Sequence, residues 1–116
     1  MELAGEDAVK FLNGPDTIRD GTLVAVAVWH ASTNPTIELT FLKEDSGVVI
    51  LELRDVQEYD FAWSIERPHI IAMMKCLMTD AGEFYLSLDP YDEHERFVSE
   101  NDNDCFRSKI VKLTTT

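Results

Sequence analysis

From Thr36 to Leu53 apolar side chains fall on alternate positions in two successive runs. In "TIELTFL", Ile37, Leu39 and Phe41 oppose Glu38 and Thr40; in "VVILEL", Val49, Leu51 and Leu53 oppose Ile50 and Glu52. A period of two puts one set of side chains on one face of a pleated strand, so both runs predict strands with an inward apolar face. Between them "KEDSG" can close a tight hairpin: a type I turn followed by Gly47 in a left-handed position.

That hairpin has an echo. Set "LKEDSGVVILEL" above "LMTDAGEFYLSL" at an offset of 35 residues, and Asp45 falls on Asp80, Gly47 on Gly82, Leu51 on Leu86 and Leu53 on Leu88. Shared turn chemistry accounts for this without a duplicated unit, since two copies make no repeat array. The echo predicts a second hairpin with Phe84, Leu86 and Leu88 facing inward. "TLVAVAVWH" is β-rich and apolar on both faces, as for a central strand, and "STNP" turns the chain after it. In "YDFAWSI", Tyr59, Phe61, Trp63 and Ile65 share one face. "PHIIAMMKCLM" carries helical spacing at Ile70, Met73, Met74 and Leu77, with Pro68 suited to a first helical turn. Yet no capping side chain adjoins Pro68 and the run leads straight into "TDAGE", so a strand is the reading and a helix its alternative. "CFRSKIVKL" predicts a last strand.

Ahead of these lies "GEDAVKFLNGP", a short helix: Glu6 and Asp7 suit its positive end, Ala8, Phe11 and Leu12 form an apolar face, and Gly14–Pro15 ends it. The sum is a single domain over residues 1–116 of the α+β class, β-rich. It has one short N-terminal helix and a mostly antiparallel, curled sheet of six to seven strands.

With 22 acidic and 10 basic residues the net charge is −12. A field of that sign repels phosphate backbones and anionic membrane surfaces, which argues against nucleic-acid and membrane partners. A basic protein or a divalent cation suits it better. Cys76 and Cys105 stand far apart in apolar surroundings, as a pair of reduced core thiols would. The N-terminal "MELAGEDAVK" has acids where a signal peptide needs bases, and the longest apolar run, Leu23–Trp29, has seven residues. A soluble, cytoplasmic chain is expected.

Familiar catalytic patterns are missing. Gly5, Gly14, Gly21, Gly47 and Gly82 are scattered singly, so no glycine-rich loop cradles a pyrophosphate, and there is no GxSxG, HExxH or paired CxxC. No cofactor is implied. Chemistry, if any, would sit in residues 89–104, which hold seven carboxylates and one arginine, half the excess of the chain. Counted from Asp89 or from Asp102, the run fails the spacing of a Ca²⁺ loop. A solvated acidic loop is the expectation, with Asp89, Tyr91, Asp92, Glu93, Glu95, Glu100, Asp102 and Asp104 as a surface for a partner. Tyr91, flanked by acids, is the aromatic residue expected to be exposed and to anchor it. His94, among these acids, reads as a surface imidazole in a local ion pair.

The run "VVILELRDVQEYDF", with its "L-x-D-V-x-x-Y" stretch, followed by the hairpin "MTDAGEFYLSLD", resembles the strand-rich middle of small bacterial toxin-immunity domains over residues 36–89. The resemblance implies a single cytosolic domain that binds and neutralises a partner, often a basic nuclease, without chemistry of its own. Acidity fits, because opposite charge speeds encounter. The alternative from another class is a small metal-dependent hydrolase using Asp89, Asp92, Glu93 and His94. A third, a β-barrel holding an apolar ligand, would need an unfilled interior.

Overall fold

The computed structural model describes residues 1–15, 17–30, 33–62 and 68–116. In chain order the elements are β1 (Glu2–Ala4), α1 (Gly5–Asn13), β2 (Thr22–Trp29), β3 (Thr36–Leu42), β4 (Val48–Asp60), β5 (His69–Ile70), β6 (Lys75–Met78), β7 (Phe84–Asp89) and β8 (Asn103–Thr115). All described pairings are antiparallel, in the order β5-β2-β3-β4-β8-β7-β6, and β1 adds to β8 beside β7. The domain is α+β and β-rich, its sheet curled into a half-barrel.

Curvature comes from the two thirteen-residue strands at the centre. β4 and β8 run in register from Val49↔Thr115 to Asp60↔Cys105, interrupted between Val56 and Glu58. An extra residue there bends the pair and increases its twist; Asp55, just before it, takes a left-handed φ of 53°. The inner face carries the alternate residues read from the sequence. Ile37, Leu39, Phe41, Val49, Leu51, Leu53, Phe84 and Leu86 are all fully buried. α1 lies against this face through Ala8 and Leu12, with acids in its first turn and Lys10 in its last, as the helix dipole favours. The concave side is therefore packed with side chains.

Several expectations change. β2 is not central: among the described residues its outer neighbour is the two-residue β5, paired only at Thr22 and Leu23. Val24, Val28 and Trp29 are exposed accordingly. "VVILEL" and the start of "YDFAWSI" form one strand, β4, ending at Asp60; Tyr59 is exposed, Phe61 packs on the core from outside the strand, and Trp63–Ile65 fall outside the described residues. "PHIIAMMKCLM" yields β5 and β6 and no helix. β1 has no counterpart in the sequence reading.

The two hairpin turns match, but one residue off the apparent alignment. Lys43 N donates to Gly47 O and Ser46 N to Lys43 O; Thr79 N donates to Glu83 O and Gly82 N to Thr79 O. The structural offset is thus 36, since Lys43 corresponds to Thr79. The left-handed residue is Ser46 (φ 71°) in the first turn and Gly82 (φ 79°) in the second. Gly47 instead donates its N–H to Asp45 Oδ1 at 2.9 Å. Among the described residues no helix is long and apolar enough to cross a membrane.

Candidate functional site

Lys75 opens β6 beneath the acidic segment, and its side chain is wholly removed from solvent. Burying an ammonium is tolerable only when its three N–H donors are met. The Nζ donates to Asp102 Oδ2 and Oδ1 at 2.9 and 3.1 Å, to Glu95 Oε1 at 3.1 Å and to the Phe97 carbonyl at 3.1 Å. The Phe97 ring lies 5.9 Å from the same nitrogen. The cation is thus enclosed by the loop that follows β7.

Asp102 is the counterpart, its side chain equally buried. It accepts from Lys75, from Tyr85 Oη at 2.7 Å, from Tyr91 N at 2.9 Å and from Ser99 N at 3.1 Å. Burial opposes ionisation, but the bonds from Tyr85, Tyr91, Lys75 and Ser99 outweigh it and hold the carboxyl below its ordinary range. Burial first, and then the bond to Asp102, push the Tyr85 phenol up. Two distant loop amides, at Tyr91 and Ser99, therefore end on one carboxylate. A second tie lies at Glu93, which takes Arg19 Nη1 on both oxygens at 2.9 and 3.1 Å.

The eight residues read as a partner surface divide accordingly. Asp89, Tyr91, Asp92 and Glu100 are exposed. Asp92 turns its Oδ1 to His94 N at 2.9 Å, capping a local turn in which His94 stays at the surface. Glu93 and Glu95 are engaged with Arg19 and Lys75. Asp102, expected at a solvated surface, lies at 5% exposure inside the loop, because Lys75 requires an anion there. Asp104 is half-buried in a left-handed conformation, φ 47°. It accepts Ala62 N at 3.4 Å and stands 3.8 Å from His69 Nε2. Burial raises its pKa, Ala62 and His69 oppose the rise, and neighbouring Asp89 and Asp60 add to it.

The sequence reading missed Lys75 itself. The signal was one lysine inside "IIAMMKCLM": a cation in an apolar strand needs a buried acceptor, and the unplaced acids of the chain were all candidates. Cys76 and Cys105 are free and buried, and burial raises both thiols, so neither is poised as a nucleophile. Among the described residues no group of three or more His, Cys, Asp or Glu side chains is placed to hold one metal ion. A cleft of about 510 Å³ is lined by Thr17, Arg19, Asp20, Lys43, Glu44 and Asp45, and both its cations are already paired, with Glu93 and Asp45. The arrangement around Lys75 ties the loop after β7 to the sheet through one buried ion pair. No protein-family model, no curated protein and no solved structure matches the chain.

Proposed function

We propose that the protein is a non-catalytic binding module, of the immunity or inhibitor type, that docks a basic protein through the outer surface of its 90–102 loop. The observation that carries this reading is the Lys75–Asp102 clamp. It fixes the backbone at Tyr91 and Ser99 from below while Tyr91 is left 70% exposed above, with Asp89, Asp92 and Glu100 also at the surface. A loop ordered before binding loses less entropy on association, so an exposed tyrosine on it is a better anchor than one on a mobile segment. The carboxylates supply long-range attraction to a cationic face.

The test is affinity capture from the native lysate at about 50 mM and about 500 mM NaCl, wild type against Tyr91→Ala and Glu100→Gln. A basic protein retained at low salt, released at high salt, lost with Tyr91→Ala and kept with Glu100→Gln supports docking by this loop. Equal retention by all three proteins, or no specific retention, overturns it. Stoichiometric binding of Mg²⁺ or Mn²⁺ that Asp92→Ala abolishes would favour a metal-dependent hydrolase instead.

A further inference from the structure

Between the β6–β7 turn and residues 96–98 lies a cleft of about 300 Å³. Leu77 and Met78 line one side and Phe97 and Val98 another, and the last two are 60% and 42% exposed. Two of the chain's ten lysines and arginines, Arg96 and Arg107, also line it. In a molecule of net charge −12, a recess where two guanidinium groups balance two carboxylates, Asp80 and Glu83, is less acidic than the chain as a whole.

Neither guanidinium makes a hydrogen bond among the described residues. Arg96 makes no hydrogen bond or ion pair among the described residues, whereas Arg19, Arg54 and Lys75 each contact a carboxylate within 3.1 Å. Arg107 stands 3.5 Å from Glu58 and 3.8 Å from Glu83, and its Nε is buried with no hydrogen-bond partner among the described residues. A buried donor left unpaired is rare in folded proteins and calls for an acceptor. A guanidinium offers Nε and Nη side by side to the two oxygens of a carboxylate.

We propose that this cleft binds a small organic carboxylate with an apolar body, its oxygens received by Arg107 and Arg96 and its body lying against Leu77, Met78, Phe97 and Val98. The volume is at the small end for ligand sites, which suits a free acid. Asp80 and Glu83 line the cleft as well and leave it no surplus positive charge, so a ligand with a single carboxylate is preferred to a dicarboxylate. The site does not depend on the protein-docking reading, which uses Tyr91 and its neighbours.

The experiment is an amide chemical-shift titration of the ¹⁵N-labelled protein at low salt. The probes are sodium 3-phenylpropionate, the uncharged 3-phenylpropanol, 3-phenylpropylammonium chloride and inorganic phosphate. Saturable shifts with phenylpropionate, confined to residues 77–83, 96–98 and 107 and half-complete on the order of 1 mM, are expected. Arg96→Ala, at an exposed position that makes no described bond, leaves the fold intact and weakens binding about tenfold. Arg107→Gln gives a second variant, with the same loss. Three results each overturn the proposal: no saturable shift, shifts of equal size with the alcohol, the ammonium or phosphate, or unchanged affinity in a folded Arg96→Ala protein.

Discussion

Asp102 and Glu100 stand two positions apart in "SENDND", and the fold treats them as opposites: one is buried against Lys75, the other faces water. Nothing in that short run separates them, because the distinction is made by a lysine 27 residues away. Removing one member of a buried ion pair strands the other charge. Lys75→Met should therefore lower unfolding free energy by about 3–5 kcal/mol, whereas Lys75→Met with Asp102→Asn should recover part of that loss. Urea denaturation of the three proteins measures both. The pH dependence follows from the same carboxylate. Its folded pKa lies below the unfolded value of about 3.9, so its stabilisation is complete above that value and fades as pH falls through the folded pKa. Asp102→Asn should flatten the acid limb of a stability-against-pH curve. Asp104 has the opposite sign: its raised pKa adds stability at low pH that is lost as pH rises past the folded value. Asn tolerates the left-handed backbone, so Asp104→Asn should raise stability at pH 7, by less than about 1 kcal/mol. An unchanged acid limb in Asp102→Asn would mean that the buried carboxylate is not the group that titrates there.

Elements were legible where they bury one face. Alternation placed β3, the first half of β4 and β7 with their inward residues correct, and α1 was marked by its first-turn acids and the glycine after it. β2 misled because "LVAVAVW" has no polar face, and a run apolar on both sides looks alike in a sheet centre and beside a strand only two residues long. β1 is three residues, too short to show a period, and it exists because β8 extends past β7 and offers it a partner. The hairpins show how far a sequence echo can be trusted. Aligning Gly47 with Gly82 was natural, yet Asp45 takes the Gly47 amide and moves the left-handed position to Ser46. A left-handed side-chain residue costs roughly 1 kcal/mol relative to glycine. Gly82→Ala, where an added Cβ meets nothing within 4 Å, should thus lose about that much through backbone conformation alone. Ser46→Gly should gain a smaller amount, since glycine also gains freedom in the unfolded chain. If both substitutions destabilise equally in thermal unfolding, the two turns are not the same device.

At the scale of the molecule, charge acts through distance. The domain measures 34 × 32 × 31 Å, close to the Debye length of about 30 Å at 0.01 M salt, so at that ionic strength each carboxylate feels nearly every other. With 22 acids against 10 bases, repulsion exceeds attraction, and surface ion pairs such as Arg54–Glu52 or Lys112–Glu2 offset little of it. Salt should therefore stabilise the folded protein even though it weakens every exposed pair. The midpoint of thermal unfolding is expected to rise by several degrees between about 0.01 M and about 0.5 M salt, and equally for sodium and choline chloride, because screening and not cation binding is the cause. The Lys75–Asp102 pair is shielded from solvent, so the double variant Lys75→Met with Asp102→Asn should show the same slope from a different starting point. The proposed docking of a basic protein by the acidic loop would have the reverse dependence, since the attraction that salt removes is then between molecules. One salt series thus reads two quantities of opposite sign on the same charges. A midpoint that falls as salt is added would mean that the carboxylates are held by cations on the surface and are not free to attract a partner.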